Sequence, residues 1–464
     1  MSFKNQSATS EYSLEFDPSN YTETAVTVNS KTVIYRAYEG IVYVKYPVDT
    51  TYQIMNIYVP VEYYEEGQSI GNYNAKTAPI FFPNPIGGYM PGTPMSPSID
   101  MSGDPNGALL ALSKGYVVAA PGARGRTTQA DNSLYTGKAP ACIVDLKAAV
   151  RYLRYNKNLI PGDTEKIVSC GTSAGGAASS LIAATGNNKD YEPYLKVIGA
   201  ANERDDVFAA QCYCPITNLD HADIAYEWLF NGINEYNGST MTDNQITISS
   251  QLKSLFPAYV NSLGLVKGTE LTLDADGDGT FKDYVKSFLI MSAQKALDDN
   301  TDLSALTWIT ITDGTVTDID FSEYAGYATR LKAAPAFDGL DLSHAENGLF
   351  GSVTINAKHF TQFGMENSTV DSFLADEHIV KMLNPMNYIG AQETDTARYW
   401  RIRHGAVDRD TALAIPVILA TKLDNEGFNV DFAIPWGQGH GGDYDLDELF
   451  TWIDNVCTPQ PGNH

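Results

Sequence analysis

The chain has 464 residues, 43% of them hydrophobic and 19% charged, with 31 basic against 56 acidic side chains and a formal net charge of −25 at pH 7. That is enough apolar chain for a large core, in one enlarged domain or two. The acidic balance argues against nucleic acid and anionic membranes as partners, because phosphate would be repelled.

In chain order, residues 1–20 are polar and Ser/Asn-rich, without the apolar centre of a signal peptide. A cytoplasmic protein, or one whose leader has been removed, is expected. No run of eighteen apolar residues occurs, so no membrane span is expected. Strand-like runs at 52–61 (YQIMNIYVPV) and 79–82 (PIFF) are followed by a helix at 107–113 and a strand at 116–120. Residues 143–155 carry apolar side chains at a helical period. They lead into a buried strand at 166–170, a small-residue helix at 174–184 and a strand at 207–216. From 217 to 383 the pattern turns mainly helical (222–233, 245–263, 281–297), with one hairpin turning at Asp313-Gly314. Strands at 398–403 and 428–434 and a helix at 445–456 resume the first pattern. The expected architecture is a mostly parallel, doubly wound α/β sheet with a large, mainly helical insertion, read as a lid. Its parts are a first core segment at 1–216, the lid at 217–383 and a second core segment at 384–464.

Gly171-Thr172-Ser173-Ala174-Gly175-Gly176 lies between the strand and the helix, and that context makes it a nucleophile elbow, so the expected fold is the α/β-hydrolase fold with a lid insertion. A serine there needs a base oriented by an acid. His440 sits in a glycine-rich loop between the last strand and the last helix, where the base belongs. His404 ends the penultimate strand and reads as structural. His221 begins a lid helix, His344, His359 and His378 lie in the insertion, and His464 is terminal. The acid should follow the penultimate strand, which leaves Asp408 and Asp410. The oxyanion of an acyl-transfer intermediate needs two backbone donors. Ala174 supplies one, and the loop 84–89, with its Gly87-Gly88 pair, should supply the other. Cys142, Cys170, Cys212, Cys214 and Cys457 make an odd set with no metal spacing, so no disulfide framework is expected; Cys212 and Cys214 read as small buried hydrophobes.

Across nearly its whole length the chain resembles the bacterial tannases of the lactobacillar type. The residues carrying the resemblance are Pro83-Asn84 with Gly87-Gly88-Tyr89, Arg124 to Thr128, Gly171 to Gly176, Cys214-Pro215-Ile216 and Ala225 to Trp228. Pro335 to Asp338, Glu346-Asn347 with Leu349 to Gly351, Arg401 to Asp410 and Gly442 to Leu446 complete them. The resemblance implies a triad of Ser173, Asp408 and His440, oxyanion donors at Ala174 and Gly88, and galloyl contacts from Lys332, Glu346 and Asp410. It implies a serine esterase that releases gallic acid from a small-molecule galloyl ester and requires no cofactor. A feruloyl or general aryl-ester hydrolase is the alternative, and a hydrolase-fold binding protein the more distant one. Two features differ from relatives. Thr172, Gly439 and Gly441 stand where fungal tannases place cysteines beside the nucleophile and base, and Gly441 replaces the lactobacillar Ser after the histidine, so a looser His440 loop is expected. Asp274, Asp276 and Asp278 resemble the start of a calcium loop, but Val285 at the twelfth position rules out an EF-hand. With Asp283 they are candidate ligands of a structural calcium in the lid; the alternative is a solvated acidic turn.

Overall fold

The computed structural model describes residues 11–458 apart from residues 29 and 132. Residues 1–10, half of the polar start, and His464 lie outside the described residues. Nine strands form one sheet: β1 (Thr22–Val28), β2 (Lys31–Val42), β3 (Ile54–Pro60), β4 (Pro79–Pro83), β5 (Val117–Pro121), β6 (Asp163–Thr172), β7 (Ala209–Tyr213), β8 (Tyr399–Arg403) and β9 (Asn429–Ala433). Their order is β1-β2-β3-β5-β4-β6-β7-β8-β9. The first three strands pair antiparallel and β3 meets β5 antiparallel; the remaining pairs are all parallel. β4, β5 and β7 are buried at every position. That is why they read as continuous apolar runs rather than alternating ones.

Helices α1 (Gly107–Ser113), α2 (Ala141–Tyr155), α3 (Ala174–Ala184) and α4 (Glu192–Val197) belong to this first half. The helix after β6, α3, packs on β6 and β7, and its run of small residues permits that close approach. After β7 the chain leaves the sheet and returns only at β8. The intervening residues form α5 (Leu219–Phe230), α6 (Asp243–Ser262), α7 (Thr280–Asp298), a hairpin (Ile309–Thr312 with Thr315–Ile319), α8 (Phe321–Ala328) and shorter helices. A helix at Ala414–Asn425 packs under β9, and Leu446–Cys457 ends the described chain. No helix among the described residues is long and apolar enough to cross a membrane.

Several elements differ from the sequence reading. The β1–β2 hairpin and the Ala414–Asn425 helix were not anticipated. The strand expected at 207–216 stops at Tyr213 because Cys214 has φ +34°, which takes it off the ladder. The structure does not bring Asp274, Asp276, Asp278 and Asp283 together. Asp274 Oδ1 accepts the amides of Asp276 and Asp278, both at 3.0 Å, and Asp278 pairs with Lys282. Among the described residues, only Cys214, Asp408 and His440 bring three His, Cys or acidic ligand atoms close together. The acidic turn instead packs against the insertion's aromatic core. Trp228 Nε1 donates to the Gly277 carbonyl at 3.0 Å, and the Trp228 ring lies against Phe256, Phe281 and Phe321.

Candidate active site

Parallel register places the site. Thr172 stands beside Tyr213, Tyr213 beside Arg403, and Arg403 beside Ala433, so four strands end in one row. The chain leaving each strand then supplies Ser173, Cys214, the 404–410 loop and the His440 loop. On the other side of β6, Pro83 stands beside Cys170, and β4 runs on into the 84–89 loop. Segments distant in sequence therefore meet beyond the carboxyl ends of the sheet, where α/β folds bind ligands.

Ser173 has φ +61° and ψ −123°, a conformation that side chains rarely adopt and that lifts Oγ above the sheet. The turn is possible because Gly171 and Gly175 pass so closely that a Cβ on the first would strike the Gly175 carbonyl and one on the second the Ile86 carbonyl. His440 Nε2 lies 2.7 Å from Ser173 Oγ, and His440 Nδ1 lies 2.8 Å from Asp408 Oδ2. A carboxylate only accepts, so Nδ1 carries the hydrogen, and in the neutral ring Nε2 accepts from the serine hydroxyl. Burial opposes a charged imidazole, but the hydrogen bond and charge of Asp408 outweigh it and hold His440 above the ordinary imidazole range. Burial would likewise raise Asp408, yet His404 and the His440 hydrogen bond keep it below the usual carboxylate range. His404 is buried with Nδ1 3.6 Å from Asp408 Oδ2, a supporting position.

The choice left open between two acids is thereby made. Asp408 faces the imidazole; Asp410 gives its amide to Asp408 Oδ1 at 2.8 Å and turns its carboxylate to Lys332 Nζ at 2.9 Å. Cys214 is buried in the core, as its reading as a small hydrophobe expects, and it also touches the site. Its Sγ donates to the Gly441 carbonyl at 3.4 Å, beside His440. The His440 loop is tied at further points, Val407 N to Gln438 O at 2.9 Å and Ala406 N to Pro435 O at 3.0 Å, so Gly441 does not leave it unanchored.

A second Ser–His–Asp chain lies in the insertion: His359 Nδ1 is 2.7 Å from Asp338 Oδ1, and Nε2 is 2.9 Å from Ser368 Oγ. This chain is structural. His359 is 0% exposed, the Ser368 hydroxyl sits against the carbonyls of Val370 and Leu340, and Asp338 also takes the amides of Phe360 and Thr361.

Two residues left without a role by the sequence hold the 84–89 loop against the elbow. Asn84 Nδ2 reaches Gly175 O, Cys170 O and Ser179 Oγ at 2.9–3.1 Å while its Oδ1 accepts from Ile86 N, riveting the 84–89 loop to the elbow. Arg126 Nε donates to the Gly88 carbonyl at 2.9 Å, and Arg126 N donates to Tyr89 O at 2.8 Å. Gly88 itself has φ +55°. Ala174 opens α3, where helix amides have no carbonyl of their own helix to bond. Losing the Arg126 side chain frees one face of the Gly88 turn. Arg126→Ala is therefore expected to lower kcat for an ester substrate by about 10-fold with KM changed less than about 3-fold, in steady-state kinetics.

Lys332, Glu346 and Asp410 fall in one electrostatic neighbourhood. Lys332 pairs with Asp410, not with Glu346, and its Nζ lies 4.1 Å from the Phe337 ring centroid. Glu346 is 8% exposed; burial raises its carboxyl above the ordinary range, the Lys332 charge opposes that, and the Asp410 charge adds to it.

With this geometry in place, known proteins bear on the chain. The BD-FAE family model, of the hydrolase fold, matches residues 100–260. No curated protein matches. A crystal structure of Fusobacterium nucleatum tannase is 50% identical, with 97% of this chain and 100% of that chain covered and a TM-score of 0.93. Tannase from Lactobacillus plantarum in an orthorhombic crystal is 44% identical over 96% of this chain and 100% of that one, TM-score 0.93. The chain belongs to the tannase family. A tannin acyl hydrolase solved in complex with ethyl gallate is 45% identical over 96% of this chain and 99% of that one, TM-score 0.92. This tannase has the α/β-hydrolase fold and is an ester hydrolase that cleaves galloyl esters.

Proposed function

We propose that this tannase works through a galloyl-enzyme intermediate on Ser173. Ser173 Oγ attacks the ester carbonyl as His440 Nε2 takes its proton, and Asp408 stabilises the imidazolium. The carbonyl oxygen, now negative, is held by the amides of Ala174 and Gly88. Collapse breaks the bond to the alcohol oxygen, which leaves with the proton from His440. Water then gives a proton to His440 and attacks the acyl carbon; the Ser173 ester bond breaks, Ser173 recovers its proton, and gallic acid departs. The observation that carries this reading is the His440 ring standing 2.7 Å from Ser173 Oγ and 2.8 Å from Asp408 Oδ2.

Acyl specificity is assigned to Glu346, Asp410 and Lys332. A galloyl ring presents three adjacent hydroxyls, each a donor and an acceptor. The two carboxylates accept from them and the ammonium donates. The ligand of the ethyl gallate complex supports a ring of this kind. A ring without hydroxyls would leave the buried Glu346 carboxyl without a partner, which is the strongest form of discrimination a pocket offers. Glu346→Ala is therefore expected to lower kcat/KM for methyl gallate by about 10–100-fold while methyl ferulate, with fewer free hydroxyls, loses under about 3-fold. Equal losses on the two esters would remove Glu346 from the pocket and favour a general aryl-ester hydrolase.

A further inference from the structure

Lys332 follows α8 and Asp410 lies in the loop after β8, yet their side chains meet at 2.9 Å. A partly exposed ion pair is too weak to hold two main chains in register. The seam between them is closed from α5. The Tyr226 hydroxyl donates to the Arg409 carbonyl at 2.8 Å and accepts from the amides of Leu331 at 3.0 Å and Lys332 at 3.3 Å. Its single hydrogen and both lone pairs are thus used, one partner on the Asp410 side and two on the Lys332 side. Tyr226 is fully buried, and burial pushes its phenol above the ordinary range, so it stays neutral and keeps that hydrogen. The next residue adds a second grip. Glu227 forms a buried pair with Arg330, whose Nε donates to the Lys332 carbonyl at 2.7 Å, and Arg409 Nη2 donates back to Arg330 O at 2.9 Å.

We propose that Tyr226 is a positioning residue for acyl specificity, its hydroxyl setting the spacing between Lys332 and Asp410 and so how sharply the pocket separates a trihydroxylated ring from a bare one. This rests on the reading of Lys332 and Asp410 as pocket groups.

The test uses the full chain, methyl gallate and methyl benzoate, with folding followed by thermal melting. Tyr226→Phe keeps the ring and removes the three bonds. It is expected to lower kcat/KM for gallate about 10–50-fold, mainly through KM, and for benzoate less than about 3-fold. In a Lys332→Met background the gallate penalty should shrink to less than about 3-fold, because nothing remains for Tyr226 to position. A structural lesion would slow both esters alike and persist in that background; either result overturns the proposal. Should Tyr226→Phe not fold, Arg409→Lys opens the same seam from the other side and carries the same expectations. Lys332→Met alone separates the two layers of inference. If it costs gallate no more than benzoate, the pocket reading fails and this proposal with it. If it is selective and the seam variants are not, only the positioning role falls.

Discussion

Ser173→Ala is expected to lower kcat for methyl gallate by about a million-fold, with the fold intact. The hydroxyl's side-chain partner is the imidazole at 2.7 Å, and His440 keeps its bond to Asp408 when Oγ is gone. The left-handed turn survives too. It is imposed by the crossing of Gly171 and Gly175, the Asn84 rivets and the Ser173 amide's bond to Tyr213 O at 3.0 Å, none of which involves Oγ. What remains is a pocket that binds the acyl ring and two amides facing its carbonyl, worth about 10³–10⁴ over water in comparable enzymes. Release of gallic acid, followed by chromatography, should therefore fall to that residue while the affinity for free gallate stays near that of the parent. Hydrolysis by the variant at a near-normal rate would mean that the acyl group never resides on Ser173.

How much of this could be read in advance depended on whether a residue's role is local. The elbow is local, since strand, turn and helix all lie within 163–184, and it was legible. So was His440, because a histidine in a glycine-rich loop between the last strand and the last helix has few other uses there. The acid was only half legible. Asp408 and Asp410 are two residues apart, and what separates them is which way each carboxylate turns, one to His440 and one to Lys332. Arg126 and Tyr226 lie in segments that carry the family resemblance, but their roles were not legible, because their partners lie tens of residues away or more. In the fold, the Ala414–Asn425 helix was missed for a related reason. It is buried on nearly every side, so its apolar residues show no helical period. The β1–β2 hairpin lies at an edge with much of its surface exposed and follows a polar start, which hid its alternation. The acidic turn at 274–279 is a different case, legible in two ways. Its spacing suited a cation, but the same spacing serves a turn whose first carboxylate takes two amides and whose glycine carbonyl receives Trp228.

Asp408→Asn is expected to lower kcat by about 10⁴-fold, and the reason lies in who already holds Oδ1. Oδ1 accepts from the Asp410 amide at 2.8 Å, so in an asparagine the oxygen must take that place and the NH₂ must face His440 Nδ1. Nδ1 then has to accept, the ring hydrogen moves to Nε2, and the nitrogen beside Ser173 no longer takes a proton. The reverse flip would set NH₂ against the Asp410 N–H and is worse. A second readout has a definite sign. Asp408 holds His440 above the ordinary imidazole range, and catalysis needs the neutral ring. The parent enzyme should thus lose kcat/KM as pH falls through a value higher than a free imidazole's, and the residual activity of Asp408→Asn should show that limb displaced to lower pH. Asp410→Asn leaves both triad contacts in place and should instead reduce selectivity for hydroxylated acyl rings with the acid limb unmoved. If Asp410→Asn moved the limb and Asp408→Asn did not, the carboxylate serving His440 in solution would be the other one, and the two aspartates would have to exchange roles.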